Sequence, residues 1–179
     1  MSKKEHILDI AESLFNQFGY NAVGVDLIRD QANVSKTSMY RYFGSKNKLI
    51  EGVLLRRHQR FQQELTTAAS STEGIENKIN AILNWHFSWF ATEDFQGCLF
   101  MHALAEFKGH DEAIVKQAQQ HKAWIKSLLL SLFLTTQEDA ELRAEALITF
   151  IEGMIVRAEF GEVSGQEEHY RAMVHRFIE

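Results

Sequence analysis

The 179-residue sequence contains no proline, a single cysteine and no long uninterrupted run of apolar residues. One cysteine excludes a disulfide within the chain and is typical of cytoplasmic proteins. No apolar run reaches the roughly eighteen residues needed to span a bilayer. The charged, amphipathic start of the chain lacks the pattern of a signal peptide. We therefore expect a cytoplasmic protein with no membrane partner.

Patterns that identify common enzyme classes are also missing. The sequence has no Ser-His-Asp arrangement in a recognisable context, no glycine-rich phosphate loop and no metal-hydrolase spacing. His86 stands beside Trp85 and close to Trp89, and a histidine among aromatic residues on a helix is usually structural. The sequence therefore predicts neither an enzyme nor a cofactor.

Helical periodicity runs along almost the whole chain, and strand-like alternation is nowhere sustained. Start and stop signals such as Gly74 and Asp111 divide the chain into about nine helices. After the N-terminal segment we predict helices over residues 46–70, 75–92, 99–107, 111–134, 137–161 and 166–177. The fold class that follows is all-α.

Residues 25–43, VDLIRDQANVSKTSMYRYF, predict two short helices joined by a tight turn. Leu27, Ile28 and Ala32 fall on one helical face, which we expect to be buried. Asn33 follows, and asparagine tolerates the left-handed backbone that such a turn requires. This spacing is typical of a helix-turn-helix.

The second of these helices has a surface suited to DNA. Ser35 offers its hydroxyl as the N-cap, and Met39 and Phe43 share a face that can pack inward with Val34. The remaining side chains are polar, basic or aromatic and face outward or sideways: Lys36, Thr37, Ser38, Tyr40, Arg41 and Tyr42. Such side chains can bond base edges and phosphates in a major groove. The alternative is that this is an ordinary solvated helix face. DNA binding is favoured because a tight turn, an N-cap and a polar face occur together in this segment.

Flanking residues agree with this interpretation. Ser2 and Glu5 have the spacing of a capping box, and Gly19 is a stop signal for the first helix. Lys46 and Lys48 stand at the start of the next long helix, where they suit a DNA phosphate. Residues 1–60 hold ten Lys/Arg and six Asp/Glu, whereas residues 61–179 hold nine and eighteen. The N-terminal part is therefore locally basic on an acidic chain.

The stretch GYNAVGVDLIRDQANVSKTSMYRYFGSKNKLI resembles the N-terminal domain of tetracycline-repressor-like (TetR-like) regulators. The matching elements are Phe18-Gly19-Tyr20, Val34-Ser35-Lys36, Tyr40-x-Tyr42-Phe43 and Ser45-Lys46-x-x-Leu49. The resemblance is strong over residues 5–55 and extends in general layout to the end. It implies a three-helix DNA-binding head over residues 1–50, followed by a helical effector-binding and dimerisation domain over residues 51–179.

The resemblance also implies roles for individual residues in the head. The DNA bases would be contacted by Lys36, Thr37 and Ser38. The phosphates would be contacted by Tyr40, Tyr42 and Lys46. The sequence departs from the family pattern at Val23, Gly24, Arg29 and Asn33. In the family, hydroxyl residues are frequent at the positions of Val23 and Gly24. Their absence here removes a phosphate contact at the start of the second helix unless Arg29 replaces it.

In the body, the resemblance implies an effector site and a dimer interface. The expected effector residues are Phe61, Trp85, His86, Trp89, Phe90, Cys98, Met101, His102, Glu106, Trp124 and Leu128. An aromatic cavity with few polar groups suits a small, partly apolar ligand, although such residues can equally be packing. The expected dimer interface is Leu147, Phe150, Ile151, Met154, Ile155, Tyr170 and Val174. The alternative is that these seven form the core of a single chain.

Two further patterns have simpler explanations. His102, Glu106 and His110 are spaced four apart and could bind zinc on a continuous helix, but Gly109 interrupts that helix, so we predict no metal. Cys98 lies at a predicted helix start, where the helix dipole favours a thiolate. It is either an electrophile sensor, as in some similar regulators, or an inert buried residue.

The sequence as a whole predicts a ligand-responsive, dimeric transcriptional regulator. We expect a repressor that binds a palindromic operator in double-stranded DNA and is released by a small-molecule effector. The competing hypothesis is a helical small-molecule-binding or scaffolding dimer without sequence-specific DNA binding. The sequence does not identify the effector, the operator or the regulated genes.

Overall fold

A computed structural model describes residues 2–133 and 139–178, which are helical and contain no strand. The all-α prediction is confirmed. Within these ranges lie nine helices: α1 Lys3–Phe18, α2 Val25–Gln31, α3 Lys36–Phe43, α4 Lys46–Ser70, α5 Ile75–Phe90, α6 Leu99–Phe107, α7 Glu112–Phe133, α8 Ala140–Glu159 and α9 Glu167–Ile178. None of these helices is long and apolar enough to cross a membrane. The predicted helix ends at Leu134 and Gln137 lie outside the described residues.

Side-chain caps define the first helices. The Ser2 hydroxyl accepts a hydrogen bond from the backbone N–H of Glu5 at 3.1 Å, and α1 ends at Gly19, whose φ is 79°. Between α3 and α4, the Ser45 hydroxyl accepts a hydrogen bond from the backbone N–H of Lys48 at 3.1 Å and caps α4. The N-cap at Ser2 and the stop at Gly19, both predicted from the sequence, are confirmed.

The turn between α2 and α3 has the predicted geometry. Asn33 has φ of 51°, and the Ser35 hydroxyl accepts from the N–H of Ser38 at 3.1 Å. Ile28 is buried, but the side chain of Leu27 is 41% exposed. The prediction that Leu27 joins the buried face is therefore wrong, because a helix of seven residues buries only a narrow stripe.

The chain divides into two compact units. The first, called the head unit below, comprises Met1–Gln59 and Cys98–His121. The second, called the body unit, comprises Arg60–Gly97 and Lys122–Glu179. Packing therefore groups α6 with the N-terminal helices, which sequence order alone did not indicate. Helices α4 and α7 contribute residues to both units.

The core of the head unit is centred on Tyr20, which is fully buried. Its ring lies 5.0 Å from that of Phe15 and 5.7 Å from that of Phe107, measured between centroids. Its hydroxyl donates a hydrogen bond of 3.0 Å to the carbonyl of Leu99. Burial raises the pKa of Tyr20 well above its usual range, so the hydroxyl stays protonated and the bond persists.

A buried ion-pair cluster joins α1 to α4 in the head unit. The Glu12 carboxylate accepts from Arg56 at 2.8 Å and from Arg57 at 2.7 Å. Glu12 and Arg57 are only 7% and 6% exposed. Buried charges are tolerated when they are paired and hydrogen-bonded. Removal of one charged side chain from this cluster would therefore make burial of the others energetically unfavourable.

Helices α5, α8 and α9 pack against one another in the body unit. Their contact faces are apolar, as helical periodicity predicted, and the buried residues include Ile79, Ile82, Leu83, Ala144, Leu147, Ile151 and Val174. The ammonium group of Lys122 on α7 bonds both carboxylate oxygens of Glu152 on α8 at 2.7 Å. Hydrophobic burial therefore holds this unit together, with an ion pair at its margin.

Candidate DNA-binding surface and effector site

The outward face of α3 carries most of the residues predicted to bind DNA. Lys36, Thr37, Tyr40 and Arg41 are exposed. The Lys36 ammonium group lies 3.9 Å from an oxygen of Asp26, a distance at which two exposed groups interact only weakly. These four side chains are therefore accessible to a ligand outside the head unit.

Ser38 and Tyr42 are less exposed than the sequence indicated. Both side chains are half-buried, and the Ser38 hydroxyl accepts a hydrogen bond from that of Ser35 at 3.1 Å. The guanidinium group of Arg41 lies 5.2 Å from the centre of the Tyr42 ring, which is within the range of a cation–π contact. Ser38 thus supports the cap of α3 as well as its outward face.

Arg29 is held by acidic residues of its own helix. Its guanidinium group bonds Asp26 at 2.9 Å and Asp30 at 2.6 Å. The hydrogen bond that Arg29 donates to the carboxylate of Asp30 is the main reason why the pKa of Arg29 is raised. A phosphate contact by Arg29 remains a prediction, and it would require the phosphate to compete with these two carboxylates.

Lys46 is half-buried at the first residue of α4. Burial lowers its pKa, and the nearby negative charge of Glu106 acts in the opposite direction. With Ser45, Lys46 lines a small cleft whose other residues are Val25, Met39, Tyr40, Phe43 and Leu49. Its charge therefore stands next to a helix N-terminus and to the exposed Tyr40, a suitable place for a phosphate.

Glu106 has a different role from the one that the sequence suggested. Its carboxylate accepts hydrogen bonds from the backbone N–H groups of Tyr20 at 2.8 Å and Asn21 at 2.6 Å. Glu106 therefore fixes the connection between α1 and α2, and a role for it in an effector pocket remains a prediction. These partners are 86 and 85 residues away in sequence, so no local pattern could have identified them.

The remaining residues predicted to bind an effector fall in different units. Cys98, Met101 and His102 belong to the head unit, as does Glu106. The body unit holds Phe61, Trp85, His86, Trp89, Phe90, Trp124 and Leu128. A single site that includes all of them thus remains a prediction, and the body-unit group is considered separately below.

Five of the body-unit residues meet in one group, together with Phe95, which the sequence reasoning missed. This aromatic cluster consists of Phe61, Trp85, His86, Trp89, Phe90 and Phe95. The Phe61 ring lies edge-on to Trp85 at 4.8 Å and to Trp89 at 5.2 Å. Phe95 lies 5.0 Å from Trp89 and 5.1 Å from Phe90. Offset and edge-on contacts at these distances stabilise aromatic groups.

His86 is the polar member of the aromatic cluster. Its side chain is 3% exposed, and burial lowers its pKa to about 4. The Nδ1 atom lies 2.8 Å from the carbonyl oxygen of Ile82 on the same helix. The imidazole is therefore neutral near pH 7.

The histidine and cysteine patterns on α6 do not form a metal site. Helix α6 ends at Phe107, so it does not reach His110, and Glu106 is bound to the backbone of the head. Residues 2–133 and 139–178 contain no group of three or more potential metal ligands. Cys98 is the N-cap residue of α6 and is buried.

Most residues predicted to form the dimer interface are buried within the single chain. Leu147, Ile151, Met154, Ile155, Tyr170 and Val174 all have less than 9% of their surface exposed. Phe150 is half-buried against Tyr170, with 5.9 Å between ring centroids. Packing against α5 and α9 leaves these side chains little exposed surface, so an interface formed by them remains a prediction. The exposed large apolar residues of α8 are Leu142 and Val156, and Phe160 at its C-cap is also exposed.

Comparisons with known proteins agree with the geometry of the head. The sequence profile of the bacterial regulatory proteins of the tetR family matches residues 7–53. The HTH-type transcriptional regulator BetI of Vibrio atlanticus (strain LGP32) is 24% identical over 181 residues, or 99% of this chain and 90% of the relative. The HTH-type transcriptional repressor NemR of Escherichia coli (strain K12) is 31% identical over 105 residues, or 58% of this chain and 53% of that protein.

A solved structure shows the same fold over nearly the whole chain. It is a TetR-family transcriptional regulator from Streptomyces coelicolor, and its TM-score is 0.92. The match covers 98% of this chain and 94% of that one, with 20% sequence identity. At this identity the likeness concerns the arrangement of the helices, and it extends beyond the residues that the family profile matches.

Proposed function

The chain belongs to the TetR-like family of helix-turn-helix transcriptional regulators, and on that premise we propose that it is a dimeric repressor released by a small-molecule effector. It is a DNA-binding regulator and not an enzyme. The observation that carries the proposal is the exposed face of α3, with Lys36, Thr37, Tyr40 and Arg41 presented by a capped turn. We expect it to act in the cytoplasm, where the DNA is.

Dimerisation supplies the geometry that operator recognition needs. Two heads about one helical turn apart can read the two halves of a palindrome. The apolar residues left exposed on α8 and at its C-cap support self-association: Leu142 is 69% exposed, Val156 51% and the C-cap residue Phe160 78%. Exposed apolar side chains on one helix suit a protein contact. We therefore propose that a second copy covers this face of α8.

Effector control would act as a shift between two populations of the dimer. Helix α4 begins beside the DNA-binding turn and contributes Phe61 to the aromatic cluster, so a change of its tilt would alter the spacing of the two heads. A ligand can weaken DNA binding only through its preference for the mismatched spacing.

The competing hypothesis is a helical binding or scaffolding dimer with no sequence preference. It explains the body unit equally well. It gives no reason for an exposed face that combines Lys36, Thr37, Tyr40 and Arg41 next to a helix N-terminus at Lys46. We therefore favour the regulator.

Selection of binding sites from random duplex DNA tests the proposal directly. The full-length protein is used at near-physiological salt, because phosphate contacts alone give salt-sensitive, nonspecific binding. We expect a palindrome whose half-sites lie about one helical turn apart. Weak binding without enrichment, with and without metabolites from a cell extract, would favour the scaffolding dimer.

Two lysine substitutions should separate phosphate contacts from base contacts. Lys46→Ala is expected to weaken binding to all duplexes and to reduce the salt slope by about one. Lys36→Ala should instead relax the preference at particular base pairs, at a cost of roughly 1–3 kcal/mol for the preferred site. Affinities measured by fluorescence anisotropy at several salt concentrations compare the two. Lys108→Ala, an exposed change outside the helix-turn-helix, is the control. An unaltered salt slope in Lys46→Ala would rule out its phosphate contact.

The carboxylate of Glu106 should control the order of the α1–α2 connection. In Glu106→Ala the backbone N–H groups of Tyr20 and Asn21 lose their acceptors. We expect faster hydrogen exchange at these two amides by roughly tenfold or more, since hydrogen bonds to a charged group contribute about 1.5–3 kcal/mol. NMR-detected exchange measures this, and Glu106→Gln, with one acceptor oxygen, should fall between the two. Met101→Ala changes an exposed side chain of the same helix and should exchange as the native protein does. Equal exchange in all four proteins would contradict the role of Glu106.

A further inference from the structure

The body unit contains a cavity of about 150 Å³ that is partly open to solvent. It lies where the C-terminal ends of α5 and α8 meet the connection between α8 and α9. An apolar cavity of this size holds a benzene ring, so the space suits a small molecule. The lining residues that decide its chemistry are Phe87, Phe90, Ala158, Val163, Ser164 and Glu167.

The apolar wall of the cavity consists of well-packed side chains. Phe87 and Val163 are buried, and the ring centroids of Phe87 and Phe90 are 6.4 Å apart with an interplanar angle of 74°. Two rings at such an angle can contact a flat apolar group on two of its sides. The guanidinium group of Arg171 lies 5.0 Å from the centre of the Phe87 ring, so this ring already has a cation beside it.

The polar side of the cavity consists of hydrogen-bond acceptors. Among the described residues that line it, Glu167 alone carries a charge. Glu167 is half-buried, and its Oε1 accepts a hydrogen bond from the backbone N–H of Gly165 at 3.1 Å. Hydrogen bonds from its own backbone N–H and from that of Gly165 lower the pKa of Glu167, so the carboxylate is ionised near pH 7. A carboxylate has about four acceptor positions, so it can accept further hydrogen bonds, as can the hydroxyl of Ser164.

The charges around the cavity favour a cation. Residues 87–97 carry two carboxylates and no basic side chain, and residues 157–171 carry four carboxylates and two guanidinium groups. Both guanidinium groups already lie within 3.3 Å of a glutamate carboxylate. An anion would meet this net negative charge and would have to compete with Glu167 for the N–H of Gly165.

We propose that this cavity binds a primary ammonium ion that carries an apolar group about the size of a benzene ring. The ammonium group donates hydrogen bonds to the carboxylate of Glu167 and to the hydroxyl of Ser164, and the apolar group lies against Phe87, Phe90 and Val163. A primary ammonium suits these acceptors because it has N–H donors. A quaternary ammonium has none, and its methyl groups need more room.

The proposed dimer contact leaves this cavity open. Ala158 lies two residues from both Val156 and Phe160 along the chain, and two residues correspond to roughly 200° of rotation in an α-helix. The cavity is therefore on the opposite side of α8 from those exposed side chains. Ligand binding can be measured without DNA, so its failure would leave the proposed function unaffected.

Benzylammonium and benzyl alcohol form a matched pair of probes, because they share the ring and its CH2 group and differ in charge. An NMR titration of the full-length protein, followed by the methyl signals of Ala158 and Val163, measures the affinity and the location together. We expect benzylammonium to bind more tightly by about fivefold to tenfold, between the values for an exposed ion pair and for a hydrogen bond to a charged group.

Three variants assign the effect to the cavity. Glu167→Gln keeps an acceptor oxygen for Gly165 but loses the charge, so the affinity for benzylammonium should fall to that for benzyl alcohol. Glu168→Gln, the control, removes the same charge from a neighbouring side chain that is 93% exposed, and it should leave both affinities nearly unchanged. Ala158→Leu fills the cavity and should abolish binding of both probes. Circular dichroism checks that each variant folds.

Several outcomes would overturn the proposal. Benzylammonium and benzyl alcohol could bind with equal affinity, or benzylammonium could fail to bind. Benzoate or benzyltrimethylammonium could bind more tightly than benzylammonium. Equal losses of affinity in Glu167→Gln and Glu168→Gln would show that the carboxylate in the cavity has no special role, and shifts confined to methyl groups outside the cavity would place the probe elsewhere.

Discussion

Glu12→Ala is expected to lower the free energy of unfolding by about 3–5 kcal/mol, the cost of removing one partner of a buried ion pair. Arg57 would stay 6% exposed without the carboxylate that now accepts from it at 2.7 Å. Returning the guanidinium group to water would require α1 and α4 to separate. Since single domains are stable by only about 5–15 kcal/mol, this change should leave the head marginally stable at physiological temperature.

Denaturant unfolding followed by circular dichroism measures the effect, with two variants as controls. Asp9→Ala removes a half-exposed partner of Arg56 and should cost no more than about 1 kcal/mol. The double variant Glu12→Leu with Arg57→Met replaces the pair with apolar side chains and should recover most of the loss. If Glu12→Ala and Asp9→Ala were equally stable, the buried cluster would not contribute as described.

The second large effect is a dependence of stability on pH that comes from His86. Its pKa of about 4 in the folded protein lies below the ordinary value near 6.5. Between these two values the unfolded chain binds a proton that the folded chain does not, so stability falls as the pH falls. The contribution is fully present above about pH 6.5, and we expect a loss of roughly 3 kcal/mol by pH 4.

Unfolding curves at several pH values test this for the native protein and for His86→Phe. Carboxylates that titrate below about pH 5 affect both proteins alike, so the difference between the two curves isolates the imidazole. His58, whose pKa burial also lowers, adds a slope of the same sign to both. Parallel curves from pH 7 to pH 4 would show that His86 titrates normally and that its burial does not lower its pKa.

Local features of the head could be predicted because they depend on neighbours in sequence. The left-handed Asn33, the hydroxyl caps at Ser35 and Ser45 and the stop at Gly19 each involve contacts within about four residues. The chemistry of short polar side chains decides such contacts almost alone. The outward face of α3 followed from the same periodicity.

Periodicity was less informative where a helix has more than one apolar side. On α8 the apolar periodicity was correct, but Leu147 and Ile151 meet α5 and α9 of the same chain, whereas Phe160 is exposed. Periodicity shows which residues share a face and does not show which helix covers it. Leu27 was misplaced for the same reason, since its neighbour Ile28 fills the buried stripe of α2.

The sequence by itself determined the all-α fold, the helix-turn-helix with its caps, and the residues that α3 turns outward, because these depend on backbone preferences and spacing. Only the tertiary structure decided that Glu106 holds the backbone at Tyr20 and Asn21, and that α6 packs in the head unit. It also decided that His86 is buried among aromatic rings, with Nδ1 beside the carbonyl oxygen of Ile82. These contacts join residues far apart in sequence or depend on burial, and burial is a property of the packed chain.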